Sequence, residues 1–248
     1  MLLSLLIYRM KKFLFGALCA LSVASLNAAD FFSTEKFDDF ITFVARVGVN
    51  TTNRTISGSA FPAAFHNETW GTGFSVGVVA DLNIRDYLSI QPGVFFDTRS
   101  GRYALAGTAV GSGLETICGA DEYTQLGKRN SYNLTIPIMA VMHFNIVDEV
   151  RWNVEFGPYL AILLDSKNKV THLMSGAENP VPLFTQTPAS VDFGFKMGTG
   201  FEIFDHYYIG AHYMAGCISA WKELKIDNLK KNFGGLTKGW TFTIGYNF

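Results

Sequence analysis

Two histidines share a parity with four carboxylates. His143 and His212 fall on the same face of their alternating segments as Asp81, Glu155, Asp192 and Glu202. Histidine beside a carboxylate is the raw material of acid–base catalysis, because its ordinary pKa lies near neutrality. Arg46 and Lys196 share that face and open a second reading, an ion path. A third reading uses the same residues as filling. Buried charges must pair, so Arg46, Asp81, Glu155, Asp192, Lys196 and Glu202 are read as a structural interior charge network. No motif places a serine, threonine or cysteine beside a histidine, so the acid–base reading lacks a nucleophile, and no catalytic residue is assigned. His66, His172 and His206 are too scattered for a metal site. Neither a metal nor a cofactor is expected.

The elements that must position these residues alternate with a period of two, the signature of β-strands. Residues 239–248 are the clearest case. Trp240, Phe242, Ile244, Tyr246 and Phe248 share one face; Gly239, Thr241, Thr243, Gly245 and Asn247 share the other. About ten residues is what a tilted strand needs to cross a bilayer. The same alternation appears over residues 41–50, 74–84, 88–103, 132–144, 152–164, 191–204 and 207–217, which gives eight strands. Pro92 removes a ladder donor from the third, so a bulge or weak spot is expected there. The connections alternate long and short; the short ones lie at 85–86, 145–151 and 205–206. That asymmetry fits an outer-membrane barrel with short periplasmic turns and long outer loops. Aromatics stand at both strand ends: Tyr87, Phe144, Trp152, Phe204, Tyr207 and Phe248 at the short-turn end, and Trp70, Phe74, Tyr103, Tyr132 and Trp240 at the other. Two such girdles suit the two headgroup layers.

Alternation alone leaves open which face points inward. A soluble lipocalin-like barrel would turn its apolar face in, around a ligand. Here the opposite face holds Gly77, Gly93, Gly157, Gly194, Gly198, Gly200 and Gly245 together with charges of both signs. Glycine weakens a solvent-facing strand but leaves room in a narrow, crowded lumen. The expected fold is therefore all-β: an eight-stranded antiparallel up-and-down transmembrane β-barrel over residues 41–248.

The 248 residues include 17% charged and 15% aromatic side chains. Mean hydropathy is only +0.18, and no long apolar run follows the amino terminus, which argues against a helical membrane protein. Residues 1–29 read as a cleaved signal peptide. Arg9, Lys11 and Lys12 supply its basic region, and Ser25, Ala28 and Ala29 its small residues; Met10 is an alternative start. Residues 30–40 read as a short periplasmic leader. The net charge of −1 gives no basic surplus, so no nucleic-acid partner is expected. Export leaves Cys118 and Cys217, an even pair in an oxidising compartment, as candidates for a disulfide.

Four segments resemble a known family in order and spacing. They are Tyr132-Asn-Leu-Thr-Ile-Pro-Ile-Met-Ala, Phe156-Gly-Pro-Tyr-Leu-Ala-Ile-Leu-Leu, Val191-Asp-Phe-Gly-Phe-Lys-Met-Gly-Thr-Gly-Phe-Glu-Ile and Thr243-Ile-Gly-Tyr-Asn-Phe248. Together they resemble the PorT-like outer-membrane β-barrel family of Bacteroidota. The segment Gly216-Cys-Ile-Ser-Ala-Trp221 departs from that family's pattern. The resemblance implies an eight-stranded outer-membrane barrel, some of whose relatives are tied to a secretion system.

The expected role is structural or interaction-based, with a narrow porin-like transport channel and a lipid-modifying barrel enzyme as alternatives. Expected partners are outer-membrane lipid and lipopolysaccharide; Lys222, Lys225, Lys230, Lys231 and Lys238 read first as a solvated loop and second as a contact for lipopolysaccharide phosphates. The barrel assembly machinery is expected to read the last strand through Trp240, Phe242, Ile244, Tyr246 and Phe248. Envelope proteins are expected to meet the outer loops of a monomeric barrel.

Overall fold

The computed structural model describes residues 40–55, 64–65, 69–107, 123–147, 149–175, 188–222, 224–226, 229–231 and 235–248. The expected signal, the leader up to residue 39 and Cys118 lie outside these.

Among the described residues eight long strands build the molecule: β1 (Ile41–Arg54), β2 (Thr69–Arg85), β3 (Leu88–Gly107), β4 (Tyr123–Val147), β5 (Val150–Ser175), β6 (Val191–Ile203), β7 (Tyr207–Gly216) and β8 (Thr237–Asn247). Each pairs antiparallel with its neighbours in sequence, and β8 pairs with β1 from Asn247↔Val44 to Thr237↔Arg54, closing the ring. Short two- and three-residue pieces decorate it: Ala64–Phe65 beside β3, and Leu224–Ile226 paired with Leu229–Lys231. Closure leaves no strand edge within the ring, the condition for crossing a membrane with strands.

The apolar face points outward. On β1, Val47 and Val49 are exposed while Arg46, Asn50, Thr52 and Arg54 are buried. On β8, Trp240, Phe242, Ile244 and Tyr246 are exposed, and Phe248 just past it is 77% exposed. The largest fully buried side chains include Arg99, Arg129, Tyr159, His212, Gln91 and Glu155. A soluble barrel would hold apolar side chains there. Buried apolar clusters are small: Val44, Val79 and Phe95 in one, Tyr159, Ala161 and Met214 in another.

Aromatic contacts mark both rims. At the short-turn end, Phe144 lies 5.3 Å from Trp152, and Tyr246 lies 5.7 Å from Tyr207 and 5.2 Å from Phe248. At the other end, Phe96 bridges Phe74 and Tyr132 at 5.9 and 6.2 Å, and Tyr213 meets Trp240 at 4.9 Å. Tyr103 departs from the girdle expected of it. It has the inward parity of β3, receives the Gln125 side-chain amide on its hydroxyl and lies 5.3 Å from the Arg129 guanidinium.

Three strands outrun the alternating pattern. β4 has 25 residues and β5 has 26, so residues 123–130 and 165–175, expected as loop, are paired strand. β3 likewise continues to Gly107. Above the hydrocarbon layer the outer face of the sheet no longer meets lipid tails, while the inner face stays buried and polar at Gln125 and Arg129, so polar residues on both sides erase the apolar alternation while the backbone ladder continues. At Pro92 the ladder to β4 lapses and resumes in unchanged register at Phe95. Proline therefore makes a weak spot, and the register shifts lie elsewhere: on β2–β3 between Trp70 and Ser75 and between Asn83 and Arg85, and on β4–β5 at Leu126/Gly127, Tyr132/Asn133 and Asn145/Val147.

Candidate functional site

The lumen is the candidate site, and its filling is layered. In the middle layer Arg46 donates from Nη1 to Glu155 Oε2 at 3.3 Å and from Nη2 to Gln91 Oε1 at 3.0 Å. Gln91 in turn donates to Asp81 Oδ2 at 2.7 Å. Glu155 also accepts from the Tyr208 hydroxyl and, at 2.8 Å, from His212 Nε2. The Arg46 guanidinium carbon lies 3.8 Å from the Tyr208 ring centre, a cation–π contact. Arg46 is 5% exposed and Glu155 1%.

Glycines make this layer possible. Arg46 pairs across to Gly77 on β2 and Gly245 on β8, so no neighbouring side chain competes with the guanidinium. A Cβ added at Gly198 would stand 2.3 Å from His212 Cδ2, and one at Gly200 would stand 2.5 Å from Tyr208 Cε2. The small-residue face is the bed on which the two rings lie.

A second layer lies toward the long-loop end. Arg99 donates to Asp192 Oδ2 at 2.9 Å and to Thr135 at 3.2 Å, with Asp97 3.9 Å away. The Tyr159 hydroxyl donates to the same Asp192 oxygen at 3.1 Å. Between the layers, Lys196 Nζ stands 5.2 Å from the centre of the Phe95 ring. The mouth above is covered by Trp221. Its indole N–H donates to the Thr55 carbonyl at 2.8 Å, and its ring lies 4.7 Å from the Arg129 guanidinium. The segment that departs from the family pattern thus folds over the lumen, held by Ala189 N–H to Ala220 carbonyl and Ala220 N–H to Gly235 carbonyl. At the short-turn end, Arg151 pairs with Asp86 at 2.5 Å, and Glu202 accepts from Asn247.

The six charges expected inside therefore divide. Arg46, Asp81 and Glu155 join one layer, Asp192 another, Lys196 sits between, and Glu202 belongs to the lower rim. Sequence reasoning passed over Arg54, Arg99 and Arg129. Arg99 has the parity of Gln91 and Asp97 on the same strand, so continuing that alternation finds it. Arg54 and Arg129 lie where the outer face is already polar and no parity signal survives. Cys217 is exposed at the end of β7. Its expected partner Cys118 lies outside the described residues.

One contact lies beyond what any motif shows. A serine does stand beside a histidine: Ser89 Oγ lies 2.8 Å from His143 Nε2, and His143 Nδ1 lies 2.8 Å from Asn153 Oδ1. Asn153 Oδ1 only accepts, so Nδ1 carries the proton and Nε2 accepts from Ser89. These are the contacts of a nucleophile, a base and its orienting group. They come from three strands, which no local motif reveals. Ser89 is 0% exposed, so no substrate carbonyl reaches its oxygen. The trio ties β3, β4 and β5 together as a polar strut.

The sequence profile of the outer membrane protein beta-barrel domain matches residues 33–219, well over half the chain. The chain belongs to that family. It is an outer-membrane β-barrel protein whose lumen is packed with the side chains just described. Among solved structures it is similar to Ail, the attachment invasion locus protein of Yersinia pestis, in complex with the heparin analogue sucrose octasulfate. Identity is 13%, covering 84% of this chain and 99% of that chain, with a TM-score of 0.35. It is similar to Neisserial surface protein A at 14% identity, 83% and 97% coverage and a TM-score of 0.38. It is similar to OprG of Pseudomonas aeruginosa at 9% identity, 87% and 97% coverage and a TM-score of 0.44. At such identities and scores these likenesses carry no argument. The fold rests on the closed strand ring, and the family on the profile match. No curated protein matches in sequence.

Proposed function

We propose that this barrel is a closed scaffold of the cell envelope that acts through its outer extension rather than through its lumen. The observation that carries the reading is the layered lumen, with Arg46–Glu155 and Arg99–Asp192 pairs crossing it and Trp221 over its mouth. An eight-stranded ring is just wide enough for side chains to fill. Charges paired across that width leave no continuous water path for a solute. The extension of β3, β4 and β5 offers a polar sheet to other envelope components. The resemblance to PorT-like barrels of Bacteroidota supports a link to a secretion system, and partners of that kind are the ones we infer.

The test is conductance with partner capture. Purified protein in planar bilayers stays closed, without large steady channels. Crosslinking from intact envelopes through residues of β4 and β5 above Tyr132 captures a defined protein partner. Stable channels from a homogeneous sample would replace the scaffold reading with that of a narrow transport pore.

A further inference from the structure

Three cations stand in direct register on three adjacent strands. Arg102 on β3 pairs with Lys128 on β4, and Lys128 pairs with Lys169 on β5. All three are exposed on the outer face of the extension. Their inward neighbours confirm the direction: Gly101, Gly127 and Arg129 are buried, and Asn168 reaches inward to accept from Arg129 Nε at 2.8 Å. Like charges directly opposite one another on a sheet repel. Among the described residues no carboxylate lies within ion-pair distance of any of the three. The row below differs, because there Lys167 pairs with Asp165 at 3.8 Å.

The height of the row points to a ligand. Tyr132 belongs to the upper aromatic girdle, stacked on Phe96, and Lys167 Nζ lies 5.8 Å from its ring. Lys128 precedes Tyr132 by four positions on β4. At about 3.3 Å per residue and a tilt of about 45°, the row stands about 9 Å above that ring. That is the level of headgroup phosphates in the outer leaflet. With strands about 4.8 Å apart, the three cations span about 10 Å. The extended sheet holds them in place, so the cost of aligning them is met in folding, and a polyanion laid across the row removes their repulsion.

We infer that Arg102, Lys128 and Lys169 form a binding ledge for the phosphate groups of outer-leaflet lipopolysaccharide. The ledge is distinct from the lysines of the last loop. It does not depend on whether the lumen conducts. It does rest on the orientation that puts the short turns in the periplasm, which cysteine labelling of the two ends tests separately.

The experiment uses the full mature protein refolded in detergent and titrated with purified bisphosphorylated lipopolysaccharide. Dephosphorylated lipopolysaccharide and phosphatidylglycerol micelles are titrated in parallel. Each cation near an anionic surface contributes about fivefold in affinity, so R102Q/K128Q/K169Q weakens binding by about a hundredfold. K128R/K169R keeps the charge and keeps binding. β-sheet circular dichroism checks that every variant folds, as expected for exposed positions. Dephosphorylated lipopolysaccharide binds the wild type as weakly as the phosphorylated form binds the triple variant. Equal binding of wild type and folded triple variant overturns the ledge. So does phosphatidylglycerol binding as tightly as lipopolysaccharide, which would show charge attraction without recognition.

Discussion

Glu155 illustrates how a single buried side chain is judged by what it leaves behind. It accepts from Arg46, His212 and Tyr208 at once. Replacing it with leucine removes the carboxylate paired with the Arg46 guanidinium, which keeps the Gln91 amide oxygen and the face of the Tyr208 ring. An uncompensated buried charge costs about 3–5 kcal/mol. E155L should therefore lower the urea midpoint of the refolded barrel markedly, and R46M/E155L should recover most of that loss. Equal losses in the single and double variants would show that the pair is not what holds the layer. Ser89 gives a second test at this scale. Its hydroxyl satisfies His143 Nε2 inside the wall of the lumen, and losing it costs about 1–3 kcal/mol. S89A should be less stable. A fluorophosphonate probe should leave wild-type Ser89 unlabelled, whereas labelling would turn the strut into a catalytic centre.

At the scale of elements, β3, β4 and β5 divide into a membrane part and an outer part. The membrane part alternates because lipid lies on one side and the packed lumen on the other. The outer part, including Lys128 to Asn130 against Lys167 to Lys169, is held by backbone pairing together with polar contacts on its inner face, Arg129 to Asn168 and Gln125 to Tyr103. The tight turns face the opposite way: Glu149 lies between β4 and β5, and Phe204 and Asp205 take positive φ of 53° and 58° to turn β6 into β7. In a variant with its native cysteines replaced, K169C on intact cells should react with an impermeant maleimide and E149C should not. The reverse result would invert the barrel. On β8, Trp240, Phe242, Ile244 and Tyr246 form a lipid-facing stripe continued by Phe248. We propose that the assembly machinery reads this stripe. F248A should then slow insertion, measured as unfolded precursor in the periplasm, without altering the midpoint of barrel already folded.

The whole molecule inverts the usual arrangement of a folded chain, with apolar side chains outside and charge within. Closure makes this workable. β1 meets β8 along eleven consecutive pairs, so within the ring every strand has two neighbours to pair its backbone with. The cysteine pair is a proposal at this scale. A bridge from Cys217, at the outer end of β7, to Cys118 would tie two distant parts of the chain, and a closed loop of about 100 residues can stabilise by about 4–5 kcal/mol. The mature protein, denatured, should resist alkylation at both thiols until reductant is added. Full labelling of both beforehand would dispose of the bridge.

The sequence by itself determined the strand count, the antiparallel up-and-down order and the direction of the faces. These follow from a period of two, the short turns and the placement of glycines, all local or one-dimensional signals. It also determined that Arg46, Asp81, Glu155 and Asp192 lie inside, because parity assigns a face to each residue separately. Only the tertiary structure decided which of them meet. Arg46 and Glu155 are 109 positions apart, and their contact depends on the ring's curvature and register, which alternation does not encode. The same holds for Ser89, His143 and Asn153, and for the cation row, whose members become neighbours through pairing of strands in regions where polarity on both faces leaves no pattern to read. Trp221 is the last case: an aromatic beyond β7 looks like any loop residue until the backbone bonds around Ala220 turn it over the mouth of the barrel.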